Sequence, residues 1–318
     1  MSFLTWAGGK SKVMHHIVDH VPKTMRNYYE PFVGGASILL YVLQQVEAGT
    51  IEVRGEFVCA DINMPLILCY VAVKEKTEAV ICSYKTLCET YEHCCEKSQC
   101  RRDQGICLCK ECYYFAIRMA FNAMHQLAKA SASADPCDYM VEIASHFLFL
   151  NATCYRGLYR ESKSGLMNSC YWTRRSIIRR DEEIREAGRL FAKYDVQFRC
   201  SDFREFLQAD VATFDPLDFV MLDPPYVPAR ESSHVSDDYS QQGFGEDDTN
   251  DLVQWMRQDG NRVMFTYCNH HCKRLEAQLK HMPVYKTFQV RRSMRYSGKA
   301  DVAHEMLVSS VLSDIRRC

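Results

Sequence analysis

Phe219-Val220-Met221-Leu222 runs directly into Asp223-Pro224-Pro225-Tyr226, so a carboxylate, two prolines and an aromatic ring follow an apolar run. Four consecutive apolar residues predict a buried strand, and the diproline ends it, because proline lacks an N–H for the ladder and fixes φ. Asp223 then stands at the carboxyl end of a strand, the place where open α/β sheets bind ligands. Its carboxylate and the main-chain carbonyl of Pro224 can accept both hydrogens of a planar exocyclic amine, while Tyr226 stacks on the ring carrying that amine. The tetrapeptide also reads as an ordinary strand-end turn, since Asp-Pro commonly opens turns.

A second strand must carry a nucleotide-type ligand if that chemistry is to occur. Arg26 to Glu30 predicts the first sheet strand, Pro31 to Gly35 a turn, and Ser37 to Val46 a helix. Glycines let a ligand approach the backbone, and the helix N-terminus offers N–H groups. Phe57 to Ala60 predicts the next strand, ending at Asp61, where a carboxylate can take both hydroxyls of a ribose. Asn63 and Pro65 read as the cap and first turn of the following helix. Near the start, Gly8-Gly9 precede Val13, Met14, Ile17, Val18 and Val21 at near-helical spacing, which places Lys10 at or near a helix N-terminus. Val196 to Cys200, Arg262 to Tyr267 and Val284 to Val290 supply further strands, whereas Pro65 to Glu186 is helical in texture.

Thr5-Trp6-Ala7-Gly8-Gly9-Lys10, Tyr29-Glu30-Pro31-Phe32-Val33-Gly34-Gly35-Ala36-Ser37, Ala60-Asp61-Ile62-Asn63, Ser201-Asp202-Phe203 and Asp223-Pro224-Pro225-Tyr226 occur in this order, followed by Val290-Arg291-Arg292-Ser293 and Glu305-Met306-Leu307. Together they resemble the Dam-like family of DNA adenine-N6 methyltransferases, class alpha. The resemblance implies an α/β, class I S-adenosylmethionine-dependent methyltransferase fold, Rossmann-like with a seven-stranded sheet, carrying an inserted, mainly helical DNA-recognition domain. It implies a catalytic domain over 1–64 and 188–318, and an insertion over 65–187 with a hairpin near 155–172. S-adenosyl-L-methionine is the implied cofactor. Its implied site is Trp6, Ala7, Gly8, Gly9, Lys10, Glu30, Pro31, Phe32, Gly34, Gly35, Ser37, Asp61, Ile62, Asp202, Phe203 and Asp223, with Asp202-Phe203 against the adenine. Asp223, Pro224 and Tyr226 are the implied catalytic group, acting on an adenine flipped from double-stranded DNA. Asp237 to Asp251 reads as a mobile polar loop beyond it.

The end of the insertion, Phe149 to Arg160 with Ser164-Gly165 and Asn168, resembles that family's DNA-reading hairpin; aromatics and arginines around a glycine turn suit a ribbon in a groove. Tyr155, Arg156, Arg160, Asn168, Arg174 and Arg175 are the implied DNA contacts, with Tyr155 as a wedge and Arg160 on a guanine. The chain departs from the family at three places: Arg156 stands where Asn is usual, Asn168-Ser169-Cys170 where Asn-x-Pro is usual, and Thr5 where GATC-reading members carry Lys.

Composition bounds the rest. The chain has 318 residues, 47% hydrophobic and 25% charged, with a formal net charge of −1, which excludes a uniformly basic nucleic-acid binder and requires local patches such as Arg174, Arg175, Arg179 and Arg180, or Arg291, Arg292 and Arg295. No apolar run is long enough for a membrane span, and no secretory signal is evident, so an intracellular protein is expected, as a monomer or weak dimer. The 17 cysteines then read as reduced thiols. No metal is expected, although Cys109-x-x-Cys112 with Cys95 and Cys100 has zinc-ligand spacing as the alternative. A cytosine-N4 or RNA amine methyltransferase, a protein glutamine methyltransferase and a catalytically idle DNA-binding relative stay open as other readings.

Overall fold

Strands buried on both faces of a parallel sheet must be nearly continuous apolar runs, and these runs form the centre of the sheet. The computed structural model describes residues 2–10, 13–96, 109–130, 137–172, 177–211, 214–225, 243–258, 263–270, 273–291 and 302–311. They fall into two compact units: Met1–Ala7 with Asn63–Lys193, and Gly8–Ile62 with Tyr194–Asp237 and Gly243–Cys318.

The second unit holds the sheet. Two short parallel strands, β1 (Thr24–Met25) and β3 (Glu52–Val53), pair with each other, and seven more form the main sheet: β2 (Tyr28–Glu30), β4 (Phe57–Asp61), β5 (Gln197–Cys200), β6 (Phe219–Leu222), β7 (Met264–His270), β8 (Val284–Arg291) and β9 (Val302–Ser309). Their order is β5-β4-β2-β6-β7-β9-β8, parallel except where β9 runs antiparallel to both β7 and β8. Tyr29 lies opposite Val58 on one side and Val220 on the other. The order therefore reverses direction at β2 and β6, and the crevice outside their carboxyl ends is the place such sheets use for ligands. Buried Tyr29, Val58, Phe206, Val220, Trp255 and Phe265 belong to the core beneath it.

Two local expectations change. The predicted first strand is interrupted at Asn27, where side chains replace the ladder: the Asn27 backbone N–H donates to Asp218 Oδ1 at 3.1 Å, and the Asn27 side-chain Oδ1 accepts from Glu56 N at 2.8 Å. The amphipathic stretch from Val13 forms only the short helix α1 (Met14–Ile17) and a 3₁₀ turn over Val18–His20. Val21 is extended, as the residue before Pro22 must be to avoid the ring. Helices α2 (Ser37–Glu47), α7 (Phe203–Val211), α8 (Glu246–Gln258) and α9 (Lys273–Leu279) complete this unit.

The first unit is helical: α3 (Met64–His93), α4 (Lys110–Ala130), α5 (Cys137–Thr153) and α6 (Asp181–Lys193). Asn63 Oδ1 accepts from Leu66 N at 2.9 Å with Pro65 behind it, so the expected cap is formed. At Gly188 on α6 an added Cβ would lie 2.6 Å from the Val73 carbonyl oxygen and 2.4 Å from Thr77 Oγ1 on α3. Glycine is needed there for the two helices to approach. The unit boundaries at 62/63 and 193/194 differ from the expected 64/65 and 187/188, because α6 buries Ile184, Leu190 and Phe191, with Phe191 edge-on to Tyr70 of α3. Residues 2–7 also pack with the helices: Phe3 meets the Tyr70 ring edge-on, and Thr5 is bound to Asn151. Among the described residues no helix is long and apolar enough to cross a membrane.

Candidate functional site

β6 delivers Asp223 to the carboxyl end of the sheet, and Lys10 meets it there: Nζ lies 2.6 Å from Oδ1, with the side chains only 2% and 19% exposed. Lys10 Nζ also donates to the Gly8 carbonyl at 3.1 Å. Burial raises the Asp223 carboxyl, the Lys10 ammonium opposes it, and Glu305 on β9 adds a smaller rise, leaving the group at about 6. Glu305 is itself buried, and the buried Cys268 of β7 lies beside it, Sγ 3.9 Å from Oε2. Lys10 thus faces a carboxylate from a helical turn just ahead of α1, its carbonyl accepting from Val13 N at 2.9 Å and α1 beginning at Met14.

At the end of β2, the Glu30 carboxylate accepts from Tyr28 Oη at 2.8 Å and from the Leu39 backbone N–H in the first turn of α2. Burial pushes this carboxyl well above the usual range, and the Asp223 and Asp61 charges push the same way. Glu30 therefore fixes α2 and the turn before it. That turn has left-handed residues at Gly34 (φ 43°) and Ala36 (φ 54°). Asp61, at the end of β4, holds it: Oδ2 accepts from Gly34 N at 3.0 Å, and Val33 N donates to the Ala60 carbonyl at 2.9 Å. Pro31 and Gly35 are buried, while Phe32 and Ser37 are half-buried.

Beyond β5, Asp202 Oδ1 accepts from Arg204 N at 2.8 Å and so caps α7. Phe203 packs 5.3 Å from Phe32, and both lie 5.9 Å from Phe244, forming an aromatic cluster with Ile62 exposed beside Asp61. Phe244 was not among the sequence-derived site residues. It lies in the stretch expected to be a polar loop, but α8 begins at Glu246, where Glu246, Asp247 and Asp248 occupy the first turn and complement the positive end of the helix dipole. Arg204 ties α7 to α8 through Asp248 at 2.6 Å and Asp251 at 2.7 Å. Tyr226 lies outside the described residues.

Gly8, Gly9 and Pro224 lie in the sheet unit, and Trp6, Ala7 and the hairpin residues belong to the helical unit. Trp6 stacks on Tyr159 at 6.0 Å between ring centres. The hairpin is irregular: a 3₁₀ turn at Tyr155–Gly157 with Arg156 at φ 58°, then isolated antiparallel bridges Cys154↔Tyr171 and Glu161↔Met167. Tyr155 packs edge-on to Trp172 at 4.4 Å, under the Arg156 guanidinium. Arg156 and Asn168 are exposed and Arg160 is half-buried. Thr5 is held beside this turn, because Asn151 Nδ2 donates both to the Thr5 carbonyl at 2.8 Å and to the Gly157 carbonyl at 2.9 Å. Arg174 and Arg175 lie outside the described residues, as do Arg292 and Arg295. The backbones of Cys95 and Cys109, both free thiols, pair as an isolated parallel β-bridge, and Cys109 Sγ accepts from Cys112 N at 3.5 Å, the geometry of a cap on α4. Cys100 is outside the described residues, and among those described no three His, Cys, Asp or Glu side chains are grouped to hold a metal.

A family model described as "D12 class N6 adenine-specific DNA methyltransferase" matches residues 6–293. The chain is 31% identical to the type II methyltransferase M.MjaIII of Methanocaldococcus jannaschii, over 80% of this chain and 78% of that protein. It is 26% identical to the DNA adenine methylase of Escherichia coli K12, over 74% and 68%, and 25% identical to that of Serratia marcescens, over 89% and 88%.

Proposed function

We propose how the chain, which belongs to the D12 class N6 adenine-specific DNA methyltransferase family, carries out adenine methylation in DNA. The donor is S-adenosylmethionine, the target adenine is turned out of a duplex, and Asp223 with Pro224 receives its amino group. The observation that carries this reading is the ion-paired Asp223 at the end of β6, one strand away from a glycine turn pinned by Asp61.

The side chains present suit that donor. Asp61 supplies a carboxylate at a strand end for ribose hydroxyls; the Gly34-Gly35 turn leaves backbone open to a close ligand; Phe32, Phe203 and Ile62 offer apolar faces to an adenine ring. Bound there, S-adenosylmethionine supplies an electrophilic methyl group on a sulfonium. The chain's own contribution is to the acceptor. The adenine amine is a weak nucleophile because its lone pair is delocalised into the ring. Asp223, held ionised by Lys10, accepts one N–H and the Pro224 carbonyl the other, which favours the pyramidal, partly positive nitrogen of the transition state over the planar ground state. Asp223 would also accept the proton that the amine gives up on methylation. Tyr226 stacks on the base.

The test supplies duplex DNA and donor carrying a labelled methyl group, then analyses the nucleosides. Label in N6-methyladenine, lost in Asp223→Ala while S-adenosylmethionine still binds, supports the assignment. Normal product from Asp223→Ala would overturn it.

A further inference from the structure

One face of α4 is spent on the hairpin, and no step above uses it. Tyr114, Arg118 and Asn122 are four residues apart and therefore line a single stripe of the helix. Tyr114 Oη and Arg118 Nη1 each donate to the Ser169 carbonyl at 2.8 Å. Asn122 imitates a strand: Nδ2 donates to the Met167 carbonyl at 3.0 Å and Oδ1 accepts from the Met167 N–H at 2.9 Å. The connection continues across the ribbon, because Ser169 Oγ donates to the Leu158 carbonyl at 2.7 Å and accepts from Arg160 N at 3.0 Å. Asn168 N closes the pair by donating to the Arg160 carbonyl at 3.0 Å.

A two-stranded ribbon is marginal by itself, and this one has only two isolated bridges among its described residues. Its side chains nonetheless alternate sharply. Met167 and Ser169 are buried against the helix, at 2% and 4% exposure, while Asn168 is exposed between them. A slip of one residue would reverse this, turning Asn168 inward and Ser169 outward. We propose that Tyr114, Arg118 and Asn122 are positioning residues that fix the register of the hairpin, and so decide which side chains it presents to the bases flanking the target adenine. The proposal rests on the reading of the chain as a duplex DNA methyltransferase whose hairpin touches bases. It makes Asn122 a specificity determinant although it faces the protein.

The experiment maps the methylated sequence, then compares initial rates on that duplex with rates on duplexes changed at one flanking base pair. Asn122→Leu removes both bonds at similar size, and Arg118→Met removes one bond to Ser169. Expected for Asn122→Leu is a loss of about tenfold in the ratio of rates, the scale of one base contact, with the rate on the best duplex and the affinity for S-adenosylmethionine changed far less. An unchanged ratio in folded Asn122→Leu overturns the proposal, and so does a uniform loss on every duplex, which is what mere destabilisation gives. If Asn122→Leu does not fold, Arg118→Met decides on the same ratio. Arg160→Ala separates this from the underlying reading: if it relaxes selectivity while the α4 variants do not, only the positioning role fails, and if it too leaves the ratio unchanged, the hairpin's contact with bases fails.

Discussion

Replacing Lys10 with Met should move the acid limb of the pH–rate profile. Asp223 must be ionised to accept the amine, and its carboxyl stands at about 6, raised by burial and held down by Lys10. Activity in the unaltered protein should therefore be full above that value and fall as pH drops through it. The pair is buried, with Nζ and Oδ1 2.6 Å apart, and removing one partner of a buried pair leaves a charge worth about 3–5 kcal/mol uncompensated. The carboxylate relieves this by binding a proton, and at about 1.4 kcal/mol per pH unit, one third to two thirds of the penalty raises its pKa by about 1 to 2. Glu305, buried nearby, reinforces the rise, and Cys268 stays a neutral thiol because burial pushes it up. At about pH 7 the ionised fraction then falls to between roughly a half and a tenth, so the rate drops about two- to tenfold and recovers toward about pH 9. Lys10→Arg keeps a cation and should leave the limb near its original place. Initial methyl-transfer rates across the pH range, with donor affinity measured by calorimetry at each pH, separate this from a binding defect. An acid limb that stays put in Lys10→Met would refute the role given to the pair.

Asp61→Ala should weaken S-adenosylmethionine binding by about 1–3 kcal/mol, since two hydroxyls lose their acceptor; because Asp61 also accepts from Gly34 N, the melting temperature should fall as well, and calorimetry showing unaltered affinity would remove the ribose assignment. Gly188→Ala forces a methyl to within 2.6 Å of the Val73 carbonyl oxygen, an overpacking that should cost about 1–3 kcal/mol; denaturant titration should show it, with the methylated sequence unaltered.

Much of the site was legible because its determinants are local. A diproline ends a strand wherever it occurs, Asn63 caps the helix it precedes, and a glycine turn after a strand needs only its neighbours. What was not legible depends on distant chain segments. Glu30, implied as a cofactor residue by the resemblance, also holds Tyr28 and Leu39 through its carboxyl, contacts that no local spacing gives. Phe244 sits in a polar stretch and is identified only by the rings of Phe32 and Phe203 that meet it. The α4 stripe had a usable signal, three hydrogen-bonding side chains at four-residue spacing in a helix, but nothing local says that their partners are backbone groups near Met167. The first residues were expected with the sheet because their motif is; Thr5 instead takes its partners from Asn151.

β9 is made after β8 but lies between β7 and β8. Until residues 302–309 insert, β7 and β8 each present an open edge, and the two cannot pair directly in the order the finished sheet requires. The pairing that closes the gap brings Glu305 opposite His270 and Phe288, joining β9 to its chain neighbour β8 and, across that intervening strand, to β7. A chain interrupted before residue 302 would therefore be left with unpaired strand edges able to recruit other chains. Such interruption should appear as aggregation and not as a shortened, weakly active enzyme.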